Sequence, residues 1–297
     1  MAGHVHVHSA AGERKGRLRL VLLLTTTFLV AEVAGGLLTR SLALLADAGH
    51  MLTDVAGLGL ALFAIRFAER PATPERTYGY HRMEILAATV NAVLLIGISL
   101  YILFEAYERF RDPPEVASGA MLAVGAVGLV VNLAGMWLLR GGSSESLNLK
   151  GAYFEVLSDA LSSLGVIVAG VVMWTTGWYY ADPLLSAGIG LFILPRTWRL
   201  LREAVGVLLE GTPADVSLAA VREALEALPG VTGVHDLHVW SLTSGRNALS
   251  VHVVLAADAS HDAVLIAAQQ CATSGFRIIH ATVQVERAGC AQGETHL

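Results

Sequence analysis

Apolar residues run along this chain in six long blocks, at Leu18–Leu38, Leu42–Ile65, Ile85–Phe104, Val116–Leu139, Ala152–Trp178 and Pro183–Leu201. Each is close to or above the roughly 20 residues that cross the hydrocarbon of a bilayer. The third and fourth blocks hold no charged side chain, which sets them apart from the half-polar helices of soluble domains. The first block follows Arg14, Lys15, Arg17 and Arg19; its length and the interrupting Glu32 mark a retained span rather than a signal peptide. After Gly211-Thr212-Pro213 the period changes. Ala214–Leu228 has helical spacing stopped by Pro229-Gly230, and Val231–Leu242 alternates as a strand. Ala248–Ala256 predicts a second strand, His261–Ala272 a helix and Arg277–Val285 a third strand. The pattern predicts an α-helical membrane protein of six transmembrane helices followed by a small α-β-β-α-β domain with one helix layer on its sheet. Its divisions are a disordered His-containing start at 1–17, a membrane domain at 18–209, the small domain at 210–287 and a tail at 288–297.

Composition agrees with this reading, and charge adds direction to it. The 297 residues are 54% hydrophobic and 15% charged, against about 25% charged in soluble domains. Two cysteines, Cys271 and Cys290, make no secreted disulfide framework. The net charge of -5 lies wholly in residues 210–297, where nine carboxylates face four arginines. With both termini cytoplasmic, thirteen basic residues fall inside, including Arg66, Arg70, Arg76 and Arg82, and only Arg40, Arg109 and Arg111 fall outside. Trp174, Trp178, Tyr179 and Tyr180 then form an outer interfacial belt. A multi-pass protein of a bacterial inner membrane is expected. No phosphate loop, dinucleotide fingerprint or basic nucleic-acid face is present, so neither ATP chemistry nor nucleic-acid binding is expected.

Ionisable side chains inside the apolar blocks carry the chemistry. His50 and Asp54 in the second span, and Glu155 and Asp159 in the fifth, are each spaced i, i+4 and so share a helix face. Buried carboxylates are expensive without a partner, and no Lys or Arg lies at similar depth. One imidazole and three carboxylates form an N/O set suited to Zn2+. Interhelical hydrogen bonding and proton-only translocation are the competing readings. Asp47, one turn before His50, either attracts the ion or bonds a neighbouring helix; Asn91 and Asn132 read as interhelical glue. Gly35, Gly36, Gly57 and Gly59 permit close helix approach.

These residues resemble the cation diffusion facilitator family of zinc transporters along almost the whole chain. The stretches SLALLADAGHMLTDVAGLGLAL, YGYHRMEILAA, GAYFEVLSDALSSLGV, GVHDLHVWSLTSG and HATVQVE carry the resemblance. It implies a homodimeric metal/proton antiporter with a ferredoxin-like cytoplasmic domain and one transport site per protomer from His50, Asp54, Glu155 and Asp159. One departure stands out: Glu155 sits where zinc-specific members usually carry His. The added carboxylate hardens the site and opens it toward Cd2+, Mn2+, Co2+ or Fe2+. It also changes proton coupling, because like-charge repulsion keeps a proton on the empty cluster that metal entry expels.

The resemblance also implies a regulatory zinc site in the small domain. His235, His252 and His280 resemble its histidine ligands and Glu286 falls in its terminal pattern. Placed on three strands, the histidines are expected to meet on the sheet, while strand alternation puts Asp236 opposite His235. Cys290 and His296 are expected to complete a site across the dimer. Tyr78, Tyr80, Arg82 and Glu84 are read as structural, and His4, His6 and His8 as weak metal capture or plain tail. Beside metal export stand three other functions: a proton-coupled carrier of another substrate, a sensor that does not transport, and a channel.

Overall fold

The computed structural model describes residues 6–68, 70–140, 147–243, 245–276 and 278–287. Six long helices come first: α1 (His6–Thr39), α2 (Leu42–Ala68), α3 (Arg82–Arg111), α4 (Ser118–Leu139), α5 (Leu147–Thr176) and α6 (Ala181–Leu208). After them come α7 (Leu218–Glu226), β1 (Val231–Thr243), β2 (Arg246–Leu255), α8 (His261–Gln270), a π-helical turn at Cys271–Gly275, and β3 (Ile278–Glu286). Among the described residues five helical stretches are long and apolar enough to cross a membrane: Leu20–Thr39, Arg82–Arg111, Ser118–Leu139, Val156–Thr176 and Ala181–Leu208. The 27-residue α2 is apolar over Leu42–Thr53. Large apolar side chains such as Leu23, Tyr101, Leu133, Trp174 and Phe192 point outward, as lipid-facing residues do.

α1 begins well before the expected start of the first span. Residues 6–17, expected to be disordered, are helical, in keeping with the helix formers Ala10, Ala11, Glu13, Arg14 and Lys15. His4 lies outside the described residues, as do the side chains of His6 and His8. The α1–α2 corner is as tight as its length predicts, with Arg40 in the left-handed region at φ 58.

The chain divides into two compact units. One lies within Met1–Gly59 and Asn91–Arg199. Here α4 presents a buried stripe of Gly125, Gly128, Asn132 and Gly135 to its neighbours. A Cβ at Gly128 would collide with the Phe28 ring of α1, and one at Gly35 would stand 2.8 Å from Val124. Small residues therefore set how closely α1 and α4 approach.

The other unit lies within Leu60–Val90 and Leu200–Leu297. Its sheet has the order β1-β2-β3, with β1 antiparallel and β3 parallel to the central β2. Ser217 and Ser260 cap α7 and α8 through the Ala220 and Ala263 amides. Alternation along β2 sends Leu249, Val251, Val253 and Leu255 into one apolar core with Val221 and Leu225 of α7 and Val264 and Ala268 of α8. Each fully buried Leu there contributes about 1.5–3 kcal/mol. The predicted α-β-β-α-β order is therefore present as a mixed three-stranded sheet. The α2–α3 connection belongs to this unit too. Arg82 Nη2 donates to Glu210 Oε1 at 2.8 Å, Thr243 Oγ1 donates to Glu84 Oε2 at 2.6 Å, and the Tyr78 ring meets that of His280 edge-on at 5.4 Å. Residues read from sequence as local scaffolding thus tie the start of α3 to the C-terminal sheet.

Candidate metal centres

In the helical unit, α2 and α5 bring His50 and Asp159 together, with Nε2 to Oδ1 at 3.9 Å. They are 9% and 4% exposed, so both are withdrawn from solvent. Asp54 and Glu155 lie one helical turn along on α2 and α5, and their side chains lie outside the described residues. Around the pair, Thr53 Oγ1 donates to the His50 carbonyl at 2.6 Å, and Asn91 Nδ2 of α3 donates to the Thr53 carbonyl at 3.3 Å. Asn132 Nδ2 of α4 donates to Ser163 Oγ of α5 at 3.3 Å, the interhelical role expected of it.

A second buried group sits beside this pair. Glu32 of α1 and Asp47 of α2 are each 1% exposed and face one another, with Ser162 next to Asp47. The buried charged residues among those described are Glu32, Asp47, His50, Asp159 and Asp182, with no Lys or Arg. Asp182 faces Arg109 at 3.4 Å, whereas Glu32, Asp47, His50 and Asp159 sit together without a buried Lys or Arg among the described residues.

In the C-terminal domain the centre forms on the sheet face away from the core. β1–β2 pairing sets His235 opposite His252, with their rings 5.0 Å apart. Glu286 at the end of β3 reaches both, at 2.9 Å to His252 Nδ1 and 3.3 Å to His235 Nε2. Gln284 Nε2 donates to Oε1, the same oxygen that faces His252, at 2.7 Å. His235, Asp236 and His252 offer ligand atoms that all lie within 4.8 Å of one another. Two imidazoles and two carboxylates fit Zn2+ by donor type. Arg222 of α7 donates to the Val234 carbonyl and so steadies β1 next to the ligands.

Two expectations are corrected here. Asp236 is not turned away from His235, because β1 bulges between His235 and His238 and Asp236 takes φ 50. A bulge breaks the two-residue alternation, and Asp tolerates the left-handed region better than most side chains. His280 does not join His235 and His252. The parallel register sets it opposite Ala248, whereas His252 faces Gln284, four residues or about 13 Å further along β3. It packs on Tyr78 instead. Cys290 and His296 lie outside the described residues.

A helical bundle of membrane-spanning length, with a buried imidazole–carboxylate pair and an N/O cluster in its soluble domain, defines a membrane carrier of metal cations. The profile described as the cation efflux transmembrane domain matches residues 18–209, and that of the cation efflux protein cytoplasmic domain matches 213–288. The chain belongs to the cation efflux family, and so is a multi-pass transporter rather than an enzyme. It is 50% identical over 294 residues to the metal cation efflux system protein CzcD of Cupriavidus metallidurans, covering 99% of this chain and 92% of that protein. It is 41% identical over 298 residues to the zinc transporter ZitB of Escherichia coli, covering 99% and 95%. It is 43% identical over 255 residues to the cadmium, cobalt and zinc/H(+)-K(+) antiporter of Bacillus subtilis, covering 85% and 81%. A solved structure, the metal-bound C-terminal domain of the CzcD transporter from Cupriavidus metallidurans, is 43% identical with a TM-score of 0.23, covering 24% of this chain and 99% of that one.

Proposed function

We propose that this protein exports divalent metal ions, zinc foremost, from a bacterial cytoplasm in exchange for protons. The transport site is His50 and Asp54 of α2 with Glu155 and Asp159 of α5. The observation that carries the reading is the His50–Asp159 contact at 3.9 Å between two buried side chains on different helices. Helical spacing sets Asp54 and Glu155 on the same faces, which completes an N/O set of four. The three carboxylates give a harder site than imidazole would, which extends its range toward Mn2+ and Fe2+. The relatives named as a zinc transporter and as a cadmium, cobalt and zinc antiporter support zinc, cadmium and cobalt as cargo.

The exchange follows from charge. Without metal, carboxylates gathered where no buried Lys or Arg lies among the described residues repel one another, and protons neutralise them. A divalent cation supplies the same neutralisation and displaces protons, so the two cargoes compete for one site. Alternate opening to each side then couples their gradients. With six spans, cytoplasmic termini follow from the charge count, in which thirteen basic residues lie on the inner side against three outside.

The C-terminal domain, ferredoxin-like in this reading, is cytoplasmic. His235, Asp236, His252 and Glu286 hold a regulatory zinc there, which would pin β1, β2 and β3 to one another. A domain this small has a limited core of its own, so the protein works as a homodimer, with Cys290 and His296 available to the shared interface.

Calorimetry on the purified full-length protein tests the reading, with His235→Ala and His252→Ala removing the second site. One zinc per chain should bind and release protons to the buffer. Glu155→His should raise preference for zinc over Mn2+. Zinc binding without proton release would overturn the exchange, and an unchanged metal ranking would overturn the role of Glu155.

A further inference from the structure

The start of α2 is held by a residue from another helix. Ser41 caps the first turn in the ordinary way, its Oγ accepting from the Leu44 amide at 3.2 Å. The Leu42 and Ala43 amides donate instead to the carboxylate of Asp182, at 2.8 and 3.1 Å. Asp182 is the second residue of α6 and lies 140 positions from Leu42. It also accepts the Ser41 hydroxyl at 2.6 Å and faces Arg109 Nη1 of α3 at 3.4 Å. Arg109 in turn pairs with Glu105 at 3.0 Å and donates to the Arg40 carbonyl at 2.7 Å. Ser41 and Asp182 are both 0% exposed, so water offers these groups no substitute.

Three directional bonds to one carboxylate set both the axial height and the rotation of α2 where it begins. A helix transmits that setting along its length, at 1.5 Å and about 100° per residue. His50 is eight residues beyond Leu42, about 12 Å along the axis. A slip of α2 by one residue would turn His50 away from Asp159.

We infer that Asp182 is a positioning residue for the metal site: by capping α2 from α6 it sets the rotation that points His50, and with it Asp54, at α5. This rests on the membrane-site reading above. Asp182 touches no cargo and acts only through the first turn of α2.

The test uses the full-length protein with His235→Ala and His252→Ala, so that only the membrane site is read, and follows zinc Kd, the Co2+ d–d absorption and thermal unfolding. Asp182→Asn keeps the volume but sets an NH2 group against amide donors. It should weaken zinc binding by at least about tenfold, the range seen when groups that orient ligands are lost, and should change the Co2+ spectrum. Met173→Ala, a core change in α5, should lower the unfolding temperature without altering the spectrum. Arg109→Gln, which leaves both amides capped, should weaken binding less than Asp182→Asn. If Asp182→Asn does not fold, Ser41→Ala decides, with an expected weakening of about threefold or more from its lost cap. A folded Asp182→Asn protein, or failing that a Ser41→Ala protein, with wild-type spectrum and a zinc Kd within twofold of wild type overturns the inference, as does an Arg109→Gln effect equal to that of Asp182→Asn. Failure of the parent protein to bind zinc at all would overturn the membrane-site reading instead.

Discussion

The two candidate metal centres are built on opposite principles. In the helical unit, His50 and Asp159 come from two helices whose ligand positions repeat every four residues, and both are withdrawn from solvent. In the C-terminal domain, His235, Asp236, His252 and Glu286 come from three strands and a bulge, and the imidazoles are partly exposed, 21% and 25% by side chain. A buried site with excess carboxylate binds whatever cation restores neutrality and so can exchange metal for protons. A half-exposed site paired to two imidazoles has water as an alternative partner and no need of a proton cargo, which suits retention better than transport. In the proposed reading, one set of side-chain types thus serves a site for passage in the helices and a site for occupancy on the sheet.

The comparison breaks first at Asp159. Asp159→Ala removes a buried direct ligand, so zinc flux should fall by about 100-fold or more, beyond the roughly 10–100-fold loss that attends orienting groups alone. Flux measured in vesicles at saturating zinc checks this, and retained flux would dissolve the distinction between the sites. Next comes Glu286→Gln. It should weaken zinc binding by the C-terminal domain by about 10- to 100-fold while leaving maximal flux within a few-fold of wild type, read by titration and by transport in the same preparation.

A smaller effect concerns pH. Zinc and protons compete for the same imidazole nitrogens. The C-terminal site, with two histidines, should therefore lose zinc affinity more steeply as pH falls than a one-histidine site of the same geometry. Titrating wild type against His235→Ala shows the difference as a change of slope. The smallest expected effect is at His280. His280→Ala should leave zinc affinity of the C-terminal domain within about twofold, since the side chain packs on Tyr78; a tenfold loss would return it to the ligand set.

What could be read from sequence divides along the same line. Five of the spans were legible because a 20-residue apolar block has few other uses, and the approach of His50 to Asp159 because helical period is regular. The order of the C-terminal elements was legible for the same reason, its alternation and its Pro-Gly and Ser-Gly breaks being local. The ligands of the sheet were only half legible. His280 was misplaced because parallel register is set by the whole β2–α8–β3 crossover, not by any local pattern. Asp236 was misplaced because a bulge cannot be seen in an alternating string. Asp182 passed unnoticed because an acid in a first helical turn reads as the cap of its own helix. Its bonds to Leu42 and Ala43 exist only once α2 and α6 have packed.

The central claim, that metal and protons exchange at the α2–α5 site, is tested most directly by zinc flux into proteoliposomes under an imposed pH gradient. Proton movement is followed in the same vesicles, for wild type and for Asp54→Ala. The account predicts zinc uptake that rises with the gradient, proton counterflow that starts only when zinc is added, and the loss of both in Asp54→Ala. Zinc uptake indifferent to the gradient, or full uptake by Asp54→Ala, would contradict it.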